Sequence, residues 1–108
     1  CSGADVLPDS VVAAGFCPRV WATGLALPRA LAVVDNGDVL ALEQGYGRVS
    51  VLWDANGDGM SDEGERAVLC EAPGLNHAVR VSNGYLYASN ATNVFRWPYT
   101  AGDRSSLG

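Results

Sequence analysis

Lysine is missing from this 108-residue chain: its seven basic side chains are all arginine, set against twelve aspartates and glutamates for a formal net charge of −5. Such a chain has no basic face to offer a phosphate backbone, which excludes a nucleic-acid partner. The missing lysine itself reflects coding composition rather than function. Long apolar runs are missing too. The longest are about five residues, against the 18 or more of a membrane-crossing helix, so no span is expected. Helical periodicity is scarce. Histidine occurs once, and no Ser/His/Asp order, phosphate loop or zinc ligand set appears. Three cysteines, Cys1, Cys17 and Cys70, lack metal-ligand spacing. An odd number leaves one unpaired or paired outside this segment, and the pairing stays open.

What is present is a repeat. Leu27-Pro28-Arg29-Ala30-Leu31-Ala32-Val33-Val34, Asn36-Gly37 and Val39-Leu40-Ala41-Leu42 are answered about 48 residues later by Leu75-Asn76-His77-Ala78-Val79-Arg80-Val81, Asn83-Gly84 and Tyr85-Leu86-Tyr87-Ala88. Strand-period alternation around Asn-Gly turns, repeated at this interval, is the signature of propeller blades. Apolar residues at 48%, charged ones at 18% and thirteen glycines fit a globular all-β chain. A propeller needs roughly four to eight blades to close, and this chain has room for about two. The expected fold is therefore about two four-stranded antiparallel blades of a truncated β-propeller, with an apolar flank left open.

Residues 1–15 show no period and read as a leader or incomplete edge segment, and 16–108 as the partial propeller. Arg19-Val20-Trp21-Ala22 is expected as an outer strand. Blade one covers about 27–72, with strands at Ala30–Val34, Val39–Glu43, Arg48–Trp53 and Arg66–Cys70. Most of blade two covers about 75–100, with strands at Ala78–Val81, Tyr85–Ser89 and Asn93–Trp97. Trp53 and Trp97 end corresponding strands and are expected to pack between blades. The alternation of Tyr85 and Tyr87 with Leu86 puts one side of that strand in the core.

Asp54-Ala55-Asn56-Gly57-Asp58-Gly59-Met60-Ser61-Asp62-Glu63-Gly64-Glu65 matches a twelve-position calcium loop at every ligand place. Asp54, Asn56 and Asp58 take positions 1, 3 and 5, the Met60 carbonyl takes 7, Asp62 takes 9 and Glu65 takes 12. Alternate spacing gathers oxygens around a hard cation that accepts six to eight of them. The flanks alternate as strands, so the loop would join two outer strands and serve structure rather than catalysis. A solvated Asp/Asn/Gly turn is the competing reading.

Leu75-Asn76-His77-Ala78 opens the innermost strand of the second blade, and Leu27-Pro28-Arg29-Ala30 holds the same place in the first. Loops entering those strands ring a propeller's channel. Arg29 is thus a candidate to clamp an anionic ligand, and His77 to accept a proton. Simple backbone bonding at the strand ends is the alternative for both.

Gly24-Leu25, Pro28-Arg29, Asn36-Gly37-Asp38, Glu43-Gln44-Gly45-Tyr46-Gly47, Leu75-Asn76-His77 and Leu86-Tyr87-Ala88-Ser89 together resemble the soluble sugar dehydrogenase propellers. These are the glucose/sorbosone dehydrogenase-like proteins, fungal pyranose dehydrogenases among them. The resemblance covers about residues 16–100. It implies six blades, pyrroloquinoline quinone (PQQ) on the axis with its own calcium, and oxidation of an aldose or pyranose at the anomeric hydroxyl. A histidine serves as base, and electrons pass to an external acceptor. Relatives often read Glu-Arg-Gly-x-Gly where this chain has Gln44, so a positive charge toward the cofactor's carboxylates is lost. Arg29, Asn76 and Gln44 are the cofactor-side candidates and His77 the catalytic one. The implied location is secreted, periplasmic or cell-surface, and Cys1-Ser2-Gly3 would suit a lipoprotein anchor. A non-catalytic NHL-like propeller that binds protein or glycan is the alternative, with a ring of several short chains a third possibility. Two blades alone are not expected to be active.

Overall fold

The computed structural model describes residues 18, 20–57 and 59–107. Among them are seven strands and one 3-10 turn, Glu63–Glu65. Strands β1 (Pro28–Val33), β2 (Val39–Glu43), β3 (Arg48–Leu52) and β4 (Arg66–Glu71) form one antiparallel sheet in chain order. Strands β5 (Val79–Ser82), β6 (Tyr85–Ser89) and β7 (Val94–Pro98) form a second. The expected strands appear within a residue or two, β2 and β6 to the residue. The outer strand expected at 19–22 does not form over residues 20–22. There the backbone is irregular, and the Trp21 carbonyl accepts the Ser61 amide at 2.7 Å. Arg19, Asp58 and segment 1–17, with Cys1 and Cys17, lie outside the described residues.

Residues opposite one another in an antiparallel ladder share a face. Ala30, Leu42, Val49 and Cys70 therefore line up across the first sheet, with Ala32, Leu40, Val51 and Ala67 beside them. In the second sheet Val79, Ala88 and Phe95, then Val81, Leu86 and Trp97, do the same. These rows meet in one core that also takes in Val34, Leu69, Leu75 and Tyr99. Trp53 and Trp97 pack against it, as their strand-end positions implied. Leu40, Leu42, Val49, Val51 and Leu86 are wholly buried, each worth about 1.5–3 kcal/mol by burial of its side chain.

The outer faces differ. On the first sheet Leu31 and Val33 stay 65% and 72% exposed, the open apolar flank that the repeat count implied. On the second, Tyr85 and Tyr87 face away from the core beside Arg80 and Arg96, and the Arg96 guanidinium lies 4.3 Å over the Tyr85 ring. Cys70 is a buried free thiol whose ionisation burial pushes up to about 12, which makes it inert at neutral pH.

Asp38, in the β1–β2 turn, ties the chain beyond β7 to the first sheet. Its carboxylate accepts Arg104 Nη2 at 2.8 Å and Nε at 3.0 Å. The same guanidinium stacks 4.2 Å over Trp53. Asp38 is 2% exposed, and Arg104 holds its carboxyl below the ordinary value of 3.8, against the opposing effect of burial. Asp38→Ala is expected to cost about 1–2 kcal/mol, a figure kept low because Arg104 is partly exposed. Urea unfolding of the folded chain measures it; an unchanged midpoint would show that the ion pair contributes nothing.

Candidate functional site

The antiparallel order sorts the connections onto two ends. The start of β1, the β2–β3 turn, the end of β4, the start of β5 and the end of β6 share one end, here the upper. The β1–β2, β3–β4 and β5–β6 connections share the lower. The upper end is stitched together by backbone bonds. The Ala72 amide donates to the Gly47 carbonyl at 3.1 Å, and the Asn76 and His77 amides both donate to the Ser89 carbonyl, at 3.2 and 3.3 Å. Asn90, closing β6, donates Nδ2 to the Pro73 carbonyl at 2.8 Å. Arg29, Gln44, Asn76 and His77 thus all lie at the upper end, and β5 packs beside β1 and β2. Arg29, Gln44 and His77 are exposed and Asn76 half-buried.

Three local features set this end. Pairing shifts between Pro28 and Ala30, so Arg29 is the extra residue of a β-bulge, a device that re-aims a side chain at a strand end. Leu27, just before it, takes the left-handed conformation at φ 51°. The turn at Gly45 also lies so close to the preceding segment that an added Cβ would come within 2.8 Å of Ala26 Cβ. Only glycine fits there.

The turn rests on a carboxylate that composition alone gave no reason to single out. Glu43, the last residue of β2, is wholly buried. It accepts Arg48 Nε at 2.6 Å, Ser50 Oγ at 2.6 Å and the Ala26 amide at 3.0 Å. Glu43 and Arg48 are cross-strand partners, and Arg48 stacks 4.2 Å over Tyr46. The available signal was a glutamate ending an apolar strand with an arginine opposite it across a short turn.

The acidic loop closes the lower end of β3 and β4. The Trp53 amide donates to the Glu65 carbonyl at 2.9 Å. Asp54 accepts the Gly57 amide through Oδ1 and the Gly59 amide through Oδ2, each at 3.0 Å. Glu65 is 8% exposed and reaches back across the loop. Its Oε2 accepts the Ala55 and Asn56 amides, and its Oε1 the Asp62 amide at 2.9 Å. The first and twelfth positions are therefore both turned into the ring. Among the described residues no three His, Cys, Asp or Glu are gathered as a metal cluster; Asp58, the candidate at position 5, lies outside them. The loop and the upper end occupy opposite ends of the sheet.

Two stacked antiparallel meanders with inner strands side by side are successive blades of a β-propeller. A family model described as TrAA12-like matches residues 10–108, and the chain belongs to this family. It is 31% identical over 94 residues to a pyrroloquinoline quinone-dependent sugar dehydrogenase of Hypocrea jecorina (strain QM6a), a match covering 85% of this chain and 22% of that protein. The iodide structure of the family AA12 carbohydrate-active enzyme of Trichoderma reesei superposes with a TM-score of 0.72 at 29% identity, over 94% of this chain and 26% of that one. A calcium structure from the same family and organism gives 0.63 at 30% identity, over 77% and 21%. The holo form of the pyranose dehydrogenase PQQ domain of Coprinopsis cinerea gives 0.58 at 27% identity, over 72% and 19%. The chain spans about a fifth of the length of the curated relative it matches, 22%.

Burial works to raise the Glu43 pKa, but Arg48, Ser50 and the Ala26 amide together hold it below its ordinary 4.5. A carboxyl whose folded value is lowered contributes stability above its unfolded value and loses it as pH falls through the lowered one. Melting temperature should therefore drop on acidification below about pH 4.5, and less steeply in Glu43→Gln. Thermal melts between about pH 7 and pH 3 test this; parallel slopes in parent and variant would count against it.

Proposed function

We propose that this chain is a two-blade portion of a six-bladed, extracytoplasmic, PQQ-dependent sugar dehydrogenase that oxidises an aldose or pyranose and passes electrons to an external acceptor. The observation that carries the reading is the gathering of Arg29, Gln44, Asn76 and His77 at one end of adjacent inner strands, in a chain of the TrAA12-like family.

The donor set suits a polycarboxylated quinone. Arg29, on its bulge, brings a guanidinium that makes no ion pair with the described residues, and such a fork binds carboxylates in bidentate fashion. Gln44 brings a neutral amide able to donate and accept. Asn76 adds a second amide at the same end. His77, its backbone fixed through the Ser89 carbonyl, accepts the proton of a sugar hydroxyl at an imidazole nitrogen. When bound, the quinone supplies the hydride acceptor for the anomeric carbon.

The loop from Asp54 to Glu65 is proposed to hold calcium as a structural ion. Asp54, Asn56, Asp58, the Met60 carbonyl, Asp62 and Glu65 would be its ligands. Support comes from the loop's closure, in which the carboxylates of positions 1 and 12 both fold back onto the loop's own amides. The ion would offset the repulsion of closely spaced carboxylates.

Absorbance titration of the full-length protein with PQQ should show saturable binding that Arg29→Ala weakens about tenfold or more. His77→Ala should leave quinone affinity in place and lower kcat by about two to four orders of magnitude. Loss of binding without loss of kcat in His77→Ala would reverse its assigned role, and no binding to the parent would remove the enzyme reading. Calcium at about a hundred times its Kd should stabilise the parent by about 2.7 kcal/mol. Asp54→Ala and Glu65→Ala should abolish that gain. Identical melting with calcium and with chelator would dispose of the ion.

A further inference from the structure

Residues 20–27, irregular throughout, connect the two ends of the first sheet. At the lower end the Trp21 carbonyl accepts the Ser61 amide at 2.7 Å, and the Thr23 carbonyl accepts Arg66 Nη1 at 2.8 Å. Arg66 also donates Nη2 to the Ser61 carbonyl at 3.3 Å, so one guanidinium grips both the segment and the close of the β3–β4 loop. At the upper end the Ala26 amide donates to Glu43 Oε1 at 3.0 Å. There the Ala26 and Leu27 carbonyls accept the Gly45 and Gln44 amides at 2.9 and 3.0 Å. Only Gly24 and Leu25 lie between these two sets of anchors, and Trp21 and Leu25 line with Leu31, Ala41 and Leu52 a cavity of about 560 Å³ between segment and sheet. A segment that joins no strand ladder keeps its order through such anchors and the packing of its half-buried side chains.

We propose that residues 20–27 are a strap coupling the β3–β4 loop to the Gln44 turn, so that order imposed on the loop raises order at the upper end of the sheet. The segment is the element both ends bias, which a claim of coupling requires, and the influence runs equally in both directions. The cation arm of the proposal rests on the reading of the loop as a calcium site; the arginine arm does not. The strap would make the lower loop a determinant of how firmly the Gln44 turn is presented, without touching any ligand there.

Hydrogen exchange on the full-length protein tests it, with Arg66→Leu as the variant and calcium ion alone as the probe. Arg66→Leu should speed exchange at the Ala26, Gln44 and Gly45 amides about tenfold, while β5–β7 amides exchange as in the parent. Calcium should slow exchange at the same three amides in the parent and not in the variant. Unchanged exchange at those amides in Arg66→Leu overturns the strap. Calcium protecting Gly57 and Gly59 but not Ala26, Gln44 and Gly45 overturns the coupling and leaves the ion site standing. Should calcium protect neither, the ion site fails and the arginine arm alone decides the strap. If Arg66→Leu loses protection everywhere, Glu43→Gln, which loosens the upper anchor, decides instead. Faster exchange at the Ser61 amide supports the strap, and an unchanged rate overturns it.

Discussion

Everything at the two ends of this chain depends on the apolar layer trapped between its sheets. Ala30 and Ala32 on β1 and Val79 and Val81 on β5 belong to that layer, and small side chains there let the inner strands of the two sheets lie side by side. Bringing β1 next to β5 fixes where their starts fall, and therefore where Arg29 and His77 fall. Among the described residues the two sheets' ladders stay separate, so the register between blades is set by side-chain packing, which tolerates little change in volume. β2 and β3 are buried on both faces for most of their length. That is why Val39-Leu40-Ala41-Leu42 reads as a continuous apolar run rather than a clean alternation.

Of the three buried carboxylates among the described residues, the two that flank β2 do the same physical work. Glu43 and Asp38 sit at opposite ends of β2, beside turns. Each is neutralised by an arginine; Glu43 also accepts Ser50 Oγ at 2.6 Å and the Ala26 amide at 3.0 Å, while the Asp38 backbone amide donates to Asn36 Oδ1 at 3.2 Å. A buried carboxylate without such partners would be strongly destabilising, whereas one that is fully bonded specifies a single local geometry. The geometry specified differs between the two. Glu43 fixes how the segment before β1 meets the Gln44 turn, and Asp38 fixes how the chain after β7 returns beneath the first sheet through Arg104.

The strands were legible because alternation and Asn-Gly turns are local signals. Val39–Glu43 and Tyr85–Ser89 appear as expected to the residue, and the tyrosines fall on the non-core face as their alternation with Leu86 implied. Residues 20–22 misled because Val-Trp-Ala has strand propensity, yet that backbone bonds instead to Ser61 and, through Thr23, to Arg66, partners about 40 residues away. The bulge at Arg29 also left no mark in the pattern, since one extra residue in a ladder shows only against its partner strand. The Asp38–Arg104 pair spans 66 positions, beyond any periodicity. Of the candidate site, its location at strand starts could be read from the repeat; the carboxylate that holds its turn was harder to read, because a glutamate at a strand end usually signals solvent and only the arginine opposite it across the turn pointed the other way.

The repeat also explains how unlike side chains come to share the upper end. Equivalent backbone positions place Arg29 in one blade and His77 in the next, so the scaffold is duplicated while the side chains diverge. A fixed cation and a titratable ring then stand at the same end without either strand having to depart from blade geometry, apart from the bulge at Arg29. On the proposed reading the bulge matters most where Gln44 stands in place of an arginine. Gln44 and Leu27 are joined through the Leu27 carbonyl at 3.0 Å, which puts the neutral turn and the approach to Arg29 on neighbouring strands. A single guanidinium re-aimed from β1 can then meet a carboxylate that the β2–β3 turn no longer meets with charge. Quinone affinity in this chain would rest on the bulge rather than on the turn.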